Sequence, residues 1–194
     1  MKKVLVVIWL HIFAFTPLIL LAQETQDAKE KEPATKLERF LAKKGTLIIK
    51  DIYNCGNISG MYGSRVLLKV IVIYEPGKET ERVRGLKIEV SENSKFEKNN
   101  ASFLDFEEVE SLSKALLYML DLAQKWENIE KEYTEVVFST KGYLDVGFFQ
   151  KSKVQTPFVS SGYVNKSMSF DNTLGYLISL KNFIDKALEV LKEK

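Results

Sequence analysis

Residues 102–126 read SFLDFEEVESLSKALLYMLDLAQKW, and the change of period inside this stretch decides the fold. Ser102, Phe103 and Leu104 form a short apolar run, and at Asp105 the pattern turns helical. Asp105 is a good N-cap residue, and Glu108 three positions on completes the Asp-x-x-Glu form of a capping box. Leu104 and Val109 have the spacing of a hydrophobic staple. Val109, Leu112, Ala115, Leu116, Met119, Leu120, Ala123 and Trp126 then recur at three- and four-residue intervals, the apolar stripe of one long helix. Such a stripe needs another layer to cover it.

Upstream, the period is two. Thr46–Tyr53 is rich in β-branched and aromatic residues. Ser64–Tyr74 is apolar on both faces, which predicts a central strand. Glu75–Lys78 supplies a turn. Arg82–Ser91 alternates, with Leu86, Ile88 and Val90 inward and Lys87 and Glu89 outward. Downstream the order recurs: strands over Glu135–Ser139, Tyr143–Gln150, Val154–Ser160 and Val164–Phe170, then a helix over Leu174–Lys192. Sliding the first helix until Val109 falls on Leu177 also places Leu112 on Leu180, Leu116 on Ile184 and Ala123 on Leu191. The expectation is an α+β fold of two ββββα repeats, about 45–128 and 133–194. Antiparallel meander sheets pack against two long helices in a single domain over 37–194. Leu37, Phe40 and Leu41 predict a short lead-in helix.

This duplicated order resembles the class that includes Whirly and Pur-type proteins. The likeness is one of element order. Lys141-Gly142-Tyr143 is the nearest approach to the Lys-Gly-Lys-Ala-Ala-Leu signature of Whirly proteins and does not reproduce it. The resemblance implies sheets on one side, packed helices on the other, and single-stranded nucleic acid bound across the strands.

Met1–Ala22 has the form of a secretory signal: Lys2 and Lys3, an almost wholly apolar run over Val4–Leu21, and Ala22 before Gln23. An uncleaved membrane anchor is the alternative, since the run is just long enough to span a bilayer. Either form faces outward, secreted or periplasmic. The histidine content of the chain is one, His11, which leaves with the leader; a mature domain without imidazole runs neither a Ser-His-Asp triad nor a histidine-ligated zinc site. The chain holds 28 basic and 26 acidic residues, and loss of Lys2 and Lys3 brings the two into balance, so no global basicity favours polyanions. One cysteine, Cys55, permits no internal disulfide and is expected in a loop or half-buried. Residues 23–36, rich in Glu, Lys, Ala and Thr, are expected to be a disordered charged linker.

Several constellations carry chemistry. Lys141, Lys151, Lys153 and Lys166 interleave with Tyr143, Phe148, Phe149, Phe158 and Tyr163, a pattern that stacks bases beside phosphate-binding lysines; ordinary core alternation with lysines in turns produces the same string. Gly56–Gly63 predicts a flexible hairpin loop that lifts Met61 and Tyr62 toward a ligand. Ser111 and Lys114 have the Ser-x-x-Lys spacing of penicillin-binding proteins, without the Lys-Thr-Gly that completes it. Glu107 with Glu108, and Glu130 with Glu132, are acidic pairs suited to helix and strand ends as much as to acid–base work. Asn57, Asn100 and Asn165 head Asn-x-Ser sequons. These readings lead to an exported non-catalytic binding or scaffolding protein with a protein or surface partner and no cofactor or metal. The alternatives are a single-stranded nucleic-acid or polyanion binder, and a membrane-anchored small enzyme without histidine.

Overall fold

Capping sets the first helix among the described residues. Thr35 Oγ1 accepts from the Glu38 amide at 3.1 Å, and the Glu38 carboxylate accepts from the Thr35 amide at 3.0 Å, opening helix α1 (Lys36–Leu41). The computed structural model describes residues 33–91, 99–162, 167–169 and 172–194. The expected leader with His11, and most of the expected linker, lie outside the described residues, as do Tyr163, Asn165 and Lys166. Thr35 is fully buried and Lys36 is helical, so these two residues belong to the fold and not to the charged linker expected over 23–36.

The first sheet is an antiparallel meander of β1 (Ile49–Ser59), β2 (Arg65–Tyr74), β3 (Val83–Ser91) and β4 (Asn99–Asp105) in sequence order. Helix α2 (Phe106–Lys125) follows directly. The second sheet repeats the order with β5 (Lys131–Ser139), β6 (Leu144–Ser152), β7 (Val154–Ser161) and β8 (Ser167–Ser169), the last only three residues long, and α3 (Thr173–Glu193) closes the chain. The class is α+β, with antiparallel meander sheets packed against two long helices.

Both helices touch both sheets: α2 lies on β3, β4 and β5, and α3 on β1, β2 and β7. Their stripes are those read from period: Val109, Leu112, Leu116, Met119 and Ala123 on one, Leu177, Leu180, Ile184, Ala187 and Leu191 on the other, all buried. They share one core with Val66, Leu68, Val70, Leu86, Ile88, Leu104, Leu144, Val146 and Phe148. Burying each large aliphatic side chain contributes roughly 2 kcal/mol. The opposite face of the first sheet is not bare. Ile71 and Ile73 alternate with Val70 and Val72, and α1 lays Leu37 and Phe40 over them.

Three local expectations change. β1 runs on to Ser59, past the point where a glycine-rich loop was expected. The register slips between Asn54 and Gly56, so Cys55 is the extra residue of a β-bulge, and only Gly60–Ser64 forms the turn. Cys55 therefore sits in a strand and is 1% exposed rather than in a loop. Tyr143, expected to open the second strand of its half, has φ 59° and belongs to a tight turn closed by its amide on the Thr140 carbonyl at 3.1 Å.

Candidate binding surface

Strand β6 decides what the second sheet shows to solvent. Leu144, Val146, Phe148 and Gln150 point to the helices and are fully buried, which turns Asp145, Phe149 and Lys151 to the other side. The register aligns Glu135, Phe149 and Thr156 in one row and Val137, Gly147 and Phe158 in the next. Tyr133 stacks on Phe149 with ring centres 5.9 Å apart, and Phe149 lies 6.5 Å from Phe158. Around this ladder, Val137 is 42%, Tyr133 55% and Val154 67% exposed. The result is a solvent-facing aromatic and aliphatic surface without a covering element among the described residues, unlike the first sheet, where α1 covers one end.

The electrostatics of the face are mixed. The Tyr133 hydroxyl donates to the Glu135 carboxylate beside the ladder, which raises the phenol above its ordinary range. Lys151 and Lys153 are exposed at the β6–β7 hairpin, and Lys131 lies over the Trp126 ring at 4.3 Å. Strand β5 is the sheet's edge: it pairs with β6 on one side, and no strand lies on its other side among the described residues.

The structure divides the residues that the sequence grouped together. Phe149, Lys151 and Lys153 share one end of β6–β7, and Lys141 and Tyr143 stand at the opposite end of β6. Nine residues of strand put roughly 25–30 Å between those ends, so Lys141–Lys166 is not one site. Lys141 instead docks on α2, its amide donating to Glu108 Oε1 at 2.8 Å. Met61 and Tyr62 lie in the β1–β2 turn of the other sheet. Tyr133, Val137 and Val154 were not singled out from the sequence. Extending the period-two reading of β5 back past Glu135 places Tyr133 and Val137 on the Phe149 side.

Other candidate groups have structural partners. Glu108 Oε2 accepts from the Asp105 amide at 3.3 Å, closing the N-terminus of α2, and Glu107 pairs with Lys36 at 3.0 Å. Ser111 Oγ donates to the Glu107 carbonyl at 2.8 Å, a bond along the helix, and Ser113 Oγ donates to Asp185 at 2.8 Å. Asn100 Nδ2 donates to the Ser161 carbonyl, which occupies the nitrogen a glycan would need, while Asn57 is exposed. Among the described residues no group of three His, Cys, Asp or Glu side chains is placed to hold a metal ion, and no helix is long and apolar enough to cross a membrane. No family profile matches the chain, and no curated protein or solved structure is similar to it.

Proposed function

We propose that this chain is an exported, non-catalytic binding module that holds a protein partner against the outer face of its second sheet. The observation that carries the reading is the Tyr133–Phe149–Phe158 ladder with Val137 and Val154 exposed around it. Rigid aromatic side chains give large contact area at little entropic cost. The side of β5 that no strand pairs among the described residues offers main-chain hydrogen bonds to an extended segment of the partner, whose side chains would then lie on the ladder. Export rests on the leader-like character of Met1–Ala22. Single-stranded nucleic acid is the second reading, favoured by aromatics beside Lys151 and Lys153. Glu135 and Asp145 stand on the same face and repel phosphates, which puts the protein partner first.

A photo-crosslinker placed at position 154 of the full chain in its source cells tests this. Discrete protein adducts are expected there, absent when the crosslinker is moved to exposed Leu117 on α2 and lost on Phe149→Ser. Adducts that are equal at both positions, or absent, reject the reading. Salt-dependent binding of a single-stranded oligonucleotide that Lys151→Ala weakens would put nucleic acid in its place.

A further inference from the structure

The open face of the second sheet has a covered counterpart on the first. In the β2–β3 hairpin the last two outward rows are Ile71 opposite Gly85 and Ile73 opposite Val83; in the β6–β7 hairpin they are Phe149 opposite Thr156 and Lys151 opposite Val154. On the first sheet these rows seat α1, whose Leu37 and Phe40 close over Ile71 and Ile73 until Ile73 is wholly buried. On the second sheet the matching rows lie open, with Val154 67% exposed. A short amphipathic helix is therefore what this hairpin geometry accommodates.

The charges just past the rows are opposite in sign. Two positions beyond Ile73, Glu75 takes Lys43, which follows the C-terminus of α1, at 2.7 Å. Two positions beyond Lys151 stands Lys153, and both of these lysines are exposed. An α1 helix from a second copy would bring Lys43 and Lys44 against them. Its Leu37, seated where a Cβ added to Gly85 would come within 2.6 Å, would also meet the Thr156 side chain. Like charge and lost clearance both oppose this chain's own helix as the occupant.

We infer that the partner is a different protein that lays a short amphipathic helix across β6 and β7, its apolar residues spaced like Leu37, Phe40 and Leu41 and acidic residues following its last turn to meet Lys151 and Lys153. This rests on the reading of the face as a partner-binding surface and adds a helix beside the strand that pairs with β5. Lysines at a helix C-terminus also complement the macrodipole, so the direction that α1 takes on the first sheet is the favoured one here.

The probe is a synthetic peptide of residues 33–46, held helical by a lactam joining Glu38 to Ala42→Lys and carrying Lys43→Glu and Lys44→Glu. It is titrated into the isotope-labelled protein, with amide resonances followed by NMR. Saturable shifts at residues 149, 151, 153, 154 and 158 are expected. The same peptide with Lys43 and Lys44 kept should bind about three- to tenfold more weakly, the range that two exposed charge pairs give, and Lys151→Glu with Lys153→Glu in the protein should reverse that order. Adding Leu37→Asp and Phe40→Asp to the peptide should abolish binding. Shifts at residues 71, 73 and 83 instead, an affinity indifferent to the tail charges, or no saturable shifts overturn the inference. Protein adducts at position 154 that persist while the peptide fails reject the helix and keep the binding surface; absence of the adducts rejects both.

Discussion

At the scale of the residue, close approach and charge pairing decide more than identity. Gly56 lies so near the Phe183 ring that an added Cβ would stand 2.3 Å from it. The bulge and α3 can meet only because no side chain intervenes. Gly56→Ala is therefore expected to destabilise by about 1–3 kcal/mol in urea denaturation, and Phe183→Leu in the same chain to recover part of the loss. Glu75 shows the electrostatic side. Lys43 and Lys78 each reach its carboxylate at 2.7 Å, and these hydrogen bonds hold its pKa down at about 2 from an ordinary 4.5. A depressed carboxylate pKa stabilises the fold above the unfolded value, and the contribution is lost as pH falls from about 4.5 through about 2. Side-chain carboxyl NMR should show the Glu75 midpoint near the bottom of that window. Lys43→Ala, which removes the first of the two donors, should move it upward.

At the scale of the element, α2 is held at both ends by other parts of the chain. Its N-terminus carries Asp105, whose carboxylate accepts the Lys36 amide at 2.9 Å and so ties α1 to the helix start. Its C-terminus meets two glutamines of the second sheet. Gln155 Nε2 donates to the Ala123 carbonyl at 2.9 Å. Gln150 Nε2, fully buried, lies 3.3 Å from the carbonyl of Trp126, the helix C-cap, 2.6 Å from that of Ile129 and 3.1 Å from that of Ser152. Helix C-terminal carbonyls need such donors when water is excluded. Gln150→Ala strands several of these acceptors and opens a cavity, with an expected cost of about 2–4 kcal/mol by thermal or urea unfolding. Gln155→Ala should cost less, since its residue is only half-buried. The capping residues were legible because N-caps act on amides two and three positions away. The glutamines were not, because their acceptors lie on another element and a strand-borne Gln has no local signature of its role.

At the scale of the whole molecule, two similar sheets end with different outer faces. The first is covered in part by α1 and crossed by the Lys69–Glu89–Lys87 ion pairs; the second keeps its aromatic ladder in solvent. Val154→Lys adds charge at a position 67% exposed, so unfolding free energy should stay within about 0.5 kcal/mol while adducts from a crosslinker placed at Val137 on the same face disappear. A loss of stability of several kcal/mol instead would show that Val154 is structural. The sequence by itself determined which segments are strands and helices, their order, the start of α2 and the inward stripes of both long helices. Periodicity and capping are local properties, complete within a few residues. The bulge that buries Cys55, the separation of Lys141 from Lys151 and the choice of which sheet face remains open were decided only by tertiary structure. Each depends on what a second element, distant in the chain, brings to the same place, and no period within one element records its neighbour.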